Sequence, residues 1–476
     1  MTLAVALAPS ADATAAARVM QAPALPGAQP ISARDRVYTA DQSSNTVSVI
    51  NPKTNEVLGT MPLGHDRLDQ ILGPVDTSEI NVHGLGFSRD GRLLDVISIT
   101  SNAAQLIRTA SNTLAAPTSY IGRSPHEGFV APDGRTLWVA VRGQRYVSVV
   151  DVRTGREVHR IQTADGPSKV VFGPDGRLAY VNHVRASEVD VIRVRDRRIV
   201  KRIRGVAPRS SDEAISPDGR ELWLGHPFDA KTTVVDARRM RVLRILDTGP
   251  RTNHPNFVSK PDGHDYVYLT VAGLDQTLVF RRDASGPTLV KRIQNSGVAP
   301  HGIWPSPDNT RIYVALQKSD AVDVIDTATD TVIDTLHVGQ DPMALVYVAD
   351  AVPHGDGRSG LSQQGLGKRV ETIPVEVRGA SGAAKLTIRQ TETVDELDFA
   401  ATNLPAGGVF TVYGVRPDGT SSPLFALTAG PDGAVDQALG FTDFFGVYDH
   451  AFMVAAPPGT PAALSARQLR VCTLTT

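Results

Sequence analysis

The chain of 476 residues contains a single cysteine, Cys472. One thiol excludes an internal disulfide, a Cys-x-x-Cys zinc site, an iron–sulfur cluster and a Cys-x-x-Cys-His haem attachment. Any metal site must therefore use histidine, carboxylate or methionine ligands. The sequence also lacks a run of about 20 apolar residues, so no segment is predicted to cross a membrane as a helix.

The chain also lacks a large net charge, because 49 Lys and Arg residues balance 50 Asp and Glu residues. A near-neutral chain has no global attraction to nucleic acid or to an anionic membrane, so a nucleic-acid partner is disfavoured. A basic run at residues 193–204 falls on predicted outer strands. We interpret it as edge charge that discourages strand-to-strand aggregation.

The N-terminus carries an incomplete export signal. An apolar run at residues 3–8 is followed by Ala-Asp-Ala at 11–13, but no Lys or Arg precedes it. Residues 1–33 are rich in Ala and Pro. We interpret them as a leader that is either a degenerate signal segment or a disordered tail.

What the sequence does contain is a repeat. A Pro-Asp-Gly-like turn recurs at intervals of 42 to 46 residues, with its aspartate at Asp90, Asp133, Asp175, Asp218, Asp262, Asp308 and Asp350. Each turn joins two short apolar strands, and a second pair of strands follows. Four strands per repeat of this length are typical of a β-propeller blade.

The two ends of the repeat region complement each other. Residues 36–64 contain three strand patterns without an inner strand, and residues 343–350 contain an inner strand without the other three. Joined, they complete one blade and close the ring, which removes the exposed sheet edges. The sequence therefore predicts an all-β protein with a seven-bladed β-propeller at residues 34–351, whose N-terminal strands close the last blade.

The segments RVYTADQSSNTVSVIN and RIYVALQKSDAVDVID resemble the YVTN-type β-propeller repeat of bacterial proteins. Similar repeats occur in lactonase-like propellers and in the propeller domain of nitrous oxide reductase. The resemblance implies a propeller fold and a periplasmic or secreted location. It does not imply one activity, because this group contains both binding proteins and enzymes.

The C-terminal part has a different pattern. The Gly-rich residues 352–368 are predicted to be a linker. Residues 369–476 alternate apolar and polar side chains as strands do, including a last strand at 466–474, and they predict a small β-sandwich domain. Docking, assembly and a lid all remain open as its role.

Histidines recur where strands of different blades reach one rim of the central channel. Such imidazoles point inward and can share a metal although they are distant in sequence. The candidate metal ligands are His83, His126, His183, His226, His254 and His301. The alternative is that each imidazole satisfies loop backbone groups and binds no metal.

The metal itself is left open among copper, zinc and calcium. Met343 lies at the same rim and would suit copper. The resemblance to nitrous oxide reductase implies a copper cluster held by inward histidines. However, the adjacent His-His pair of that family is missing here, and its Cys-rich copper domain has no counterpart. A copper oxidoreductase is therefore disfavoured.

Charged residues near the same rim are candidate ligand-binding groups. They are the carboxylates Glu127, Asp212 and Glu213 and the arginines Arg142 and Arg145. The arginines suit an anionic ligand, and the carboxylates suit a metal-bound water. The sequence contains no GxSxG, HExxH or phosphate-loop motif.

Two hypotheses follow. The first is an extracytoplasmic binding or interaction protein, whose histidine-lined mouth holds a small molecule, a metal or a loop of a partner protein. The alternative is a metal-dependent enzyme at the same mouth, with a lactonase-like hydrolase preferred over a copper oxidoreductase. A stoichiometric metal held by two or more blades with an open coordination position favours the enzyme.

Overall fold

The computed structural model describes residues 28–64, 79–391 and 394–456. These residues form 36 β-strands and one 3-10 turn at Ala272–Leu274, with no α-helix in the described ranges. None of the described residues belongs to a helix long and apolar enough to span a membrane. Most of the predicted leader and the predicted strand at 466–474 lie outside the described residues.

The first 29 strands build seven sheets around a central axis, and their bounds follow in chain order. The first three are β1 (Arg36–Asp41), β2 (Thr46–Asn51) and β3 (Glu56–Pro62). The next sheet contains β4 (Val82–Phe87), β5 (Leu93–Ser98), β6 (Ala103–Arg108), β7 (Thr113–Leu114) and β8 (Ser119–Tyr120). Then come β9 (Pro125–Val130), β10 (Thr136–Val141), β11 (Tyr146–Asp151) and β12 (Glu157–Gln162). The fourth set is β13 (Pro167–Phe172), β14 (Leu178–His183), β15 (Glu188–Arg193) and β16 (Arg198–Arg204).

Three further sets complete the ring. They begin with β17 (Asp212–Ile215), β18 (Glu221–His226), β19 (Lys231–Asp236) and β20 (Arg241–Asp247). The next set is β21 (Thr252–Ser259), β22 (Asp265–Val271), β23 (Gln276–Arg281) and β24 (Thr288–Gln294). The last strands are β25 (Pro300–Pro305), β26 (Arg311–Leu316), β27 (Ala321–Asp326), β28 (Thr331–His337) and β29 (Pro342–Val348).

The ring closes between the two ends of the repeat region. Strand β29 pairs antiparallel with β1, placing Tyr38 opposite Val346, in a sheet of order β29-β1-β2-β3. The Tyr347 hydroxyl donates to Asp35 at 2.6 Å, which ties the chain before β1 to the same blade. The predicted seven blades and the predicted mode of closure are both confirmed.

The inner strands pack tightly around the axis because small residues let neighbouring blades approach. A Cβ atom at Gly84 would lie 2.0 Å from the His126 carbonyl oxygen. Farther along the inner strands, the centre of the propeller is filled by aromatic side chains. The rings of Phe87 and Phe129 each contact Trp304, at centroid distances of 5.6 and 6.2 Å. The channel is thus filled by aromatic rings at its middle.

The outer strands carry the basic run. Arg198, Lys201 and Arg202 are all exposed, and Arg202 on β16 lies 2.9 Å from Asp190 on the neighbouring strand β15. The pairing of β16 with β15 is also interrupted by a bulge. Exposed charge and a bulge both discourage pairing of an edge strand with another chain.

The C-terminal strands form a second all-β unit. Their bounds are β30 (Val370–Arg378), β31 (Ala383–Gln390), β32 (Asp395–Thr402), β33 (Val409–Val415), β34 (Ser421–Thr428), β35 (Val435–Thr442) and β36 (His450–Ala455). The sheet order is β34-β33-β36-β30-β31-β32-β35, so β30 is shared by two halves. The sheet folds over one core that contains Leu386, Phe399, Phe410, Met453 and Phe444.

This second unit docks onto the propeller through buried charges. Arg389 on β31 is fully buried, lies 2.8 Å from Asp320 and donates to the Gln317 carbonyl oxygen at 2.6 Å. The Lys318 ammonium pairs with the buried Asp398 on β32. Residues 317–320 join β26 to β27. That connection lies at the rim where the inner strands begin, because β25 leaves this rim and β26 returns to it.

Candidate functional site

Four histidines gather at that same rim, each near the start of an inner strand. His83 and His126 are the second residues of β4 and β9, His301 is the second residue of β25, and His254 is the third of β21. The ring centroids lie 4.5 Å apart for His83 and His126, 6.4 Å for His83 and His301, and 4.6 Å for His254 and His301. The four imidazoles therefore form one continuous arc across four blades.

Neighbouring polar groups orient the first two imidazoles. His126 Nδ1 lies 3.0 Å from the Ser168 carbonyl oxygen, and His83 Nδ1 lies 3.4 Å from Gln42 Oε1. The Gln42 amide nitrogen donates to Asn81. A backbone carbonyl oxygen cannot donate a proton, so His126 Nδ1 carries the proton and His126 Nε2 keeps a lone pair. The Gln42 amide can present either its oxygen or its nitrogen to His83, so the His83 tautomer depends on the group that His83 Nε2 meets.

The other two imidazoles are oriented in the same way. His301 Nδ1 lies 3.2 Å from the Met343 carbonyl oxygen, and His254 Nδ1 lies 3.1 Å from Asp212 Oδ2. An imidazole whose Nδ1–H meets a carbonyl or a carboxylate presents its Nε2 lone pair to a ligand, which is the usual support of a metal-binding histidine.

Burial keeps these histidines neutral. It lowers the pKa of His83, His126, His254 and His301 well below the usual range, and the neighbouring cationic or imidazole groups act in the same direction. Neutral rings retain the lone pairs that metal coordination requires. His83 Nε2 and His126 Nε2 lie only 2.9 Å apart.

A charged layer lies directly inside the histidine arc. The Lys169 ammonium is 2.8 Å from both Glu127 Oε2 and Asp212 Oδ2, and all three side chains are at most 8% exposed. Burial raises the pKa of Glu127 to about 7 and that of Asp212 above its usual value, against the pull of Lys169. Burial opposes the charge on Lys169, but the two carboxylates outweigh it and raise its pKa.

A small cavity of about 20 Å³ adjoins this layer. Its lining includes Glu127, Lys169, Asp212, Glu213 and His254. Such a space holds about one water molecule. The layer therefore suits an ion or a water rather than a larger molecule.

Arg142 extends across the mouth from the loop after β10. Its Nη2 donates to Ser168 Oγ at 2.5 Å and to Ser211 Oγ at 3.2 Å, on the next two blades. Burial lowers the pKa of Arg142 to about 9. Arg145, by contrast, pairs with Asp165 at 3.1 Å and its side chain is 72% exposed. The structure therefore brings Arg142, but not Arg145, to the histidine site.

His183 and His226 end the second strands β14 and β18, one layer farther from the axis. His226 Nδ1 lies 2.7 Å from the Pro208 carbonyl oxygen and its Nε2 lies 2.9 Å from Thr233 Oγ1. His183 Nδ1 lies 3.0 Å from the Glu188 carbonyl oxygen. Both rings are engaged within the propeller wall, and the structure does not bring them into the arc.

Lys169 was not among the candidates, although the repeat contained the signal. Glu127, Lys169 and Asp212 each lie six residues before a turn aspartate, in three successive repeats. Equivalent positions of successive inner strands are neighbours around the axis, so a cation between two carboxylates at this position indicates a buried ion triad.

The fold and the site together define a β-propeller with a polar, histidine-lined mouth. The family model described as "Lactonase, 7-bladed beta-propeller" matches residues 93–337. The chain belongs to this lactonase-type family of seven-bladed β-propellers, as the resemblance in its repeats implied.

Individual relatives are distant. The chain is 26% identical to protein NirF of Pseudomonas aeruginosa over 288 residues, which cover 56% of this chain and 68% of NirF. It is 28% identical to hydrazine synthase subunit beta of Kuenenia stuttgartiensis over 232 residues, which span 39% of this chain and 60% of that subunit. The structure of the periplasmic gluconolactonase PpgL of Pseudomonas aeruginosa aligns with a TM-score of 0.52 at 21% identity, covering 66% of this chain and 99% of that one. This last likeness supports the fold.

Proposed function

We propose that the protein is an extracytoplasmic binding protein that holds one divalent transition-metal ion at the propeller mouth. The observation that carries the proposal is the 2.9 Å separation of His83 Nε2 and His126 Nε2. His126 Nε2 bears a lone pair because its Nδ1 faces the Ser168 carbonyl oxygen, and His83 Nε2 bears one as well when His83 Nδ1 donates to Gln42 Oε1. Two lone pairs at this distance repel each other unless a proton or a metal ion lies between them.

Two arrangements fit this geometry, which are a metal ion between the two nitrogens and a hydrogen bond from a neutral His83 that carries its proton on Nε2. Burial lowers the pKa of both imidazoles, which disfavours an additional proton between them. Two nitrogens at about 2.0–2.1 Å from one ion lie about 2.9 Å apart at the right angle of a tetragonal copper site, and about 3.3 Å apart at the tetrahedral angle of a zinc site. The ligand atoms of His83, His126 and Glu127 all lie within 4.8 Å of one another, which supplies a third ligand.

The donor set selects the kind of metal. Imidazole nitrogens suit zinc and copper, whereas calcium requires six to eight oxygen ligands. Zinc or copper is therefore proposed over calcium. Three protein ligands leave a position open to water or to a small ligand, and Arg142 adds positive charge beside it.

Metal analysis of the untagged protein tests this proposal. We expect about one zinc or copper per chain after reconstitution, and its loss in both His83→Ala and His126→Ala. His159→Ala is the matched control, because His159 is exposed on the outer strand β12. A wild-type protein that retains no metal after loading with zinc and with copper contradicts the proposal.

Lactone hydrolysis is the second candidate, favoured by membership in the lactonase-type family. A metal ion held by His83, His126 and Glu127 would supply Lewis-acid activation for this hydrolysis. In the overall reaction the oxygen of a water adds to the lactone carbonyl carbon, the ring ester C–O bond breaks, and a water proton passes to the departing ring oxygen to give a hydroxy acid. The gluconolactonase fold relative makes glucono-δ-lactone the first substrate to test. We would follow acid release in a pH-stat with the zinc-loaded protein and with His126→Ala. Equal rates for both proteins would exclude hydrolysis at this centre.

A further inference from the structure

The Lys169 ammonium lies where a second metal ion would be coordinated. Glu127 Oε2 and Asp212 Oδ2 are each 2.8 Å from Nζ. The ligand atoms of Glu127, Asp212 and His254 all lie within 4.8 Å of one another, around the same point. Two carboxylates and one imidazole are a common set for a divalent cation.

This second position adjoins the first. Glu127 belongs both to the group with His83 and His126 and to the group with Asp212 and His254. A carboxylate shared between two such groups is the arrangement of a two-metal centre. In this chain the first group is free to bind a metal ion, whereas the second group already surrounds a cation of the chain itself, the Lys169 ammonium.

Polar atoms around Lys169 remain available to a different occupant. Asp212 Oδ1 and both carboxylate oxygens of Glu213 are buried without a hydrogen bond of good geometry from the described residues, and the Asn182 backbone approaches Glu213. Asp212 and Glu213 line the cavity of about 20 Å³ beside the ammonium. There is thus room for a bound water, which a metal ion at this position would also need.

We propose that Lys169 fills the second position of a two-cation centre and thereby limits the propeller mouth to one metal ion. The ammonium neutralises Glu127 and Asp212 and holds Glu127 in place for the ion at His83 and His126. It follows that a neutral, shorter side chain at residue 169 opens a second metal site. Glu127 and Asp212 would bind there through oxygen, and His254 through Nδ1 once its proton resides on Nε2. This inference rests on the proposed function for the first ion but not for the second position.

The test compares metal stoichiometry in the wild type and in Lys169→Ala, with zinc and with manganese as probes. Manganese favours oxygen-rich sites and is counted by electron paramagnetic resonance. We expect one bound ion in the wild type and two in the variant. Lys260→Ala is the control, because the Lys260 side chain is only 10% exposed but pairs with a single carboxylate, Asp330, at 2.8 Å. It should gain no ion.

The outcomes separate the two proposals. One ion in both proteins overturns this inference and leaves the proposed function intact. No ion in the wild type and one in Lys169→Ala refutes the proposed function and supports the second position. If Lys169→Ala does not fold alone, Lys169→Ser is prepared with manganese present throughout. Folding that depends on the metal supports the proposal, and failure of both variants to fold with metal overturns it.

Discussion

The buried ion network between the two domains gives the most quantitative prediction. Arg389 is fully buried and faces four carboxylates, which are Asp320 at 2.8 Å, Glu396 at 3.4 Å, Asp398 at 3.7 Å and Asp341 at 3.8 Å. Arg389→Met removes the charge and keeps much of the volume. Breaking a buried pair from one side costs about 3–5 kcal/mol, because the four carboxylates then stay buried with Lys318 as the remaining neighbouring cation.

The loss should depend on pH in a defined direction. Burial already raises the pKa of Asp320 while Arg389 is present. Without the guanidinium, which now lowers the pKa of Asp320, that carboxyl binds its proton still more tightly in the folded state than in the unfolded chain. Stability of the variant then falls as pH rises above about 4, so the destabilisation is larger at pH 8 than at pH 5.

Urea unfolding followed by circular dichroism, together with calorimetry, measures this effect. We expect Arg389→Met to separate unfolding of the C-terminal domain from that of the propeller. The control is Arg369→Met, since Arg369 pairs with Glu371 at 2.6 Å but is 54% exposed. An exposed pair contributes at most about 1 kcal/mol. A loss in Arg389→Met no larger than in this control, at both pH values, would refute the reasoning.

Two further predictions concern single residues. Burial lowers the pKa of His226 to about 4. The pKa of a histidine in the unfolded chain is about 6.5, so the contribution of the neutral His226 ring to the free energy of unfolding is complete above pH 6.5. That contribution decreases as pH falls, by about 3 kcal/mol near pH 4. His226→Gln should remove that part of the acid dependence in urea titrations at pH 7, 6 and 5, and an unchanged dependence contradicts it. Gly84→Ala places a Cβ 2.0 Å from the His126 carbonyl oxygen, whereas at Gly173 the nearest atom is 3.4 Å away. We expect Gly84→Ala to lose about 1–3 kcal/mol and zinc affinity together, and Gly173→Ala to change neither in melting and zinc-binding measurements.

The fold could be predicted because the turn aspartates set the register of each repeat. Asp133 and Asp175 mark equivalent turns, so counting back from them identifies residues that are neighbours in space, such as His126 and Ser168. Counting back from the turn aspartates identifies spatial neighbours only among residues of the inner strands. His226 ends a second strand, which lies one layer outward, and its ring bonds to Pro208 instead of the mouth.

Contacts between residues of different blades that lie outside the inner strands could not be predicted from the sequence. Arg142 binds Ser168 and Ser211, which lie 26 and 69 residues farther along the chain. Which residues Arg142 contacts depends on the conformation of the loop after β10, and that conformation cannot be predicted from the spacing of the repeats. The docking of the C-terminal domain through Arg389 depends likewise on tertiary packing, so the sequence left the role of that domain open.

The pairing of β1 with β29 has a consequence for the order of folding during synthesis. Tyr38 meets Val346 only after nearly the whole propeller has been translated. Until then, β1 has β2 on one side and a bare row of backbone amides and carbonyls on the other. Contacts so distant along a chain form slowly, and unpaired edges favour aggregation in the interval. A chain that stops before β29 would keep that unpaired edge permanently. Closure of the ring therefore has to wait until the ribosome has synthesised β29.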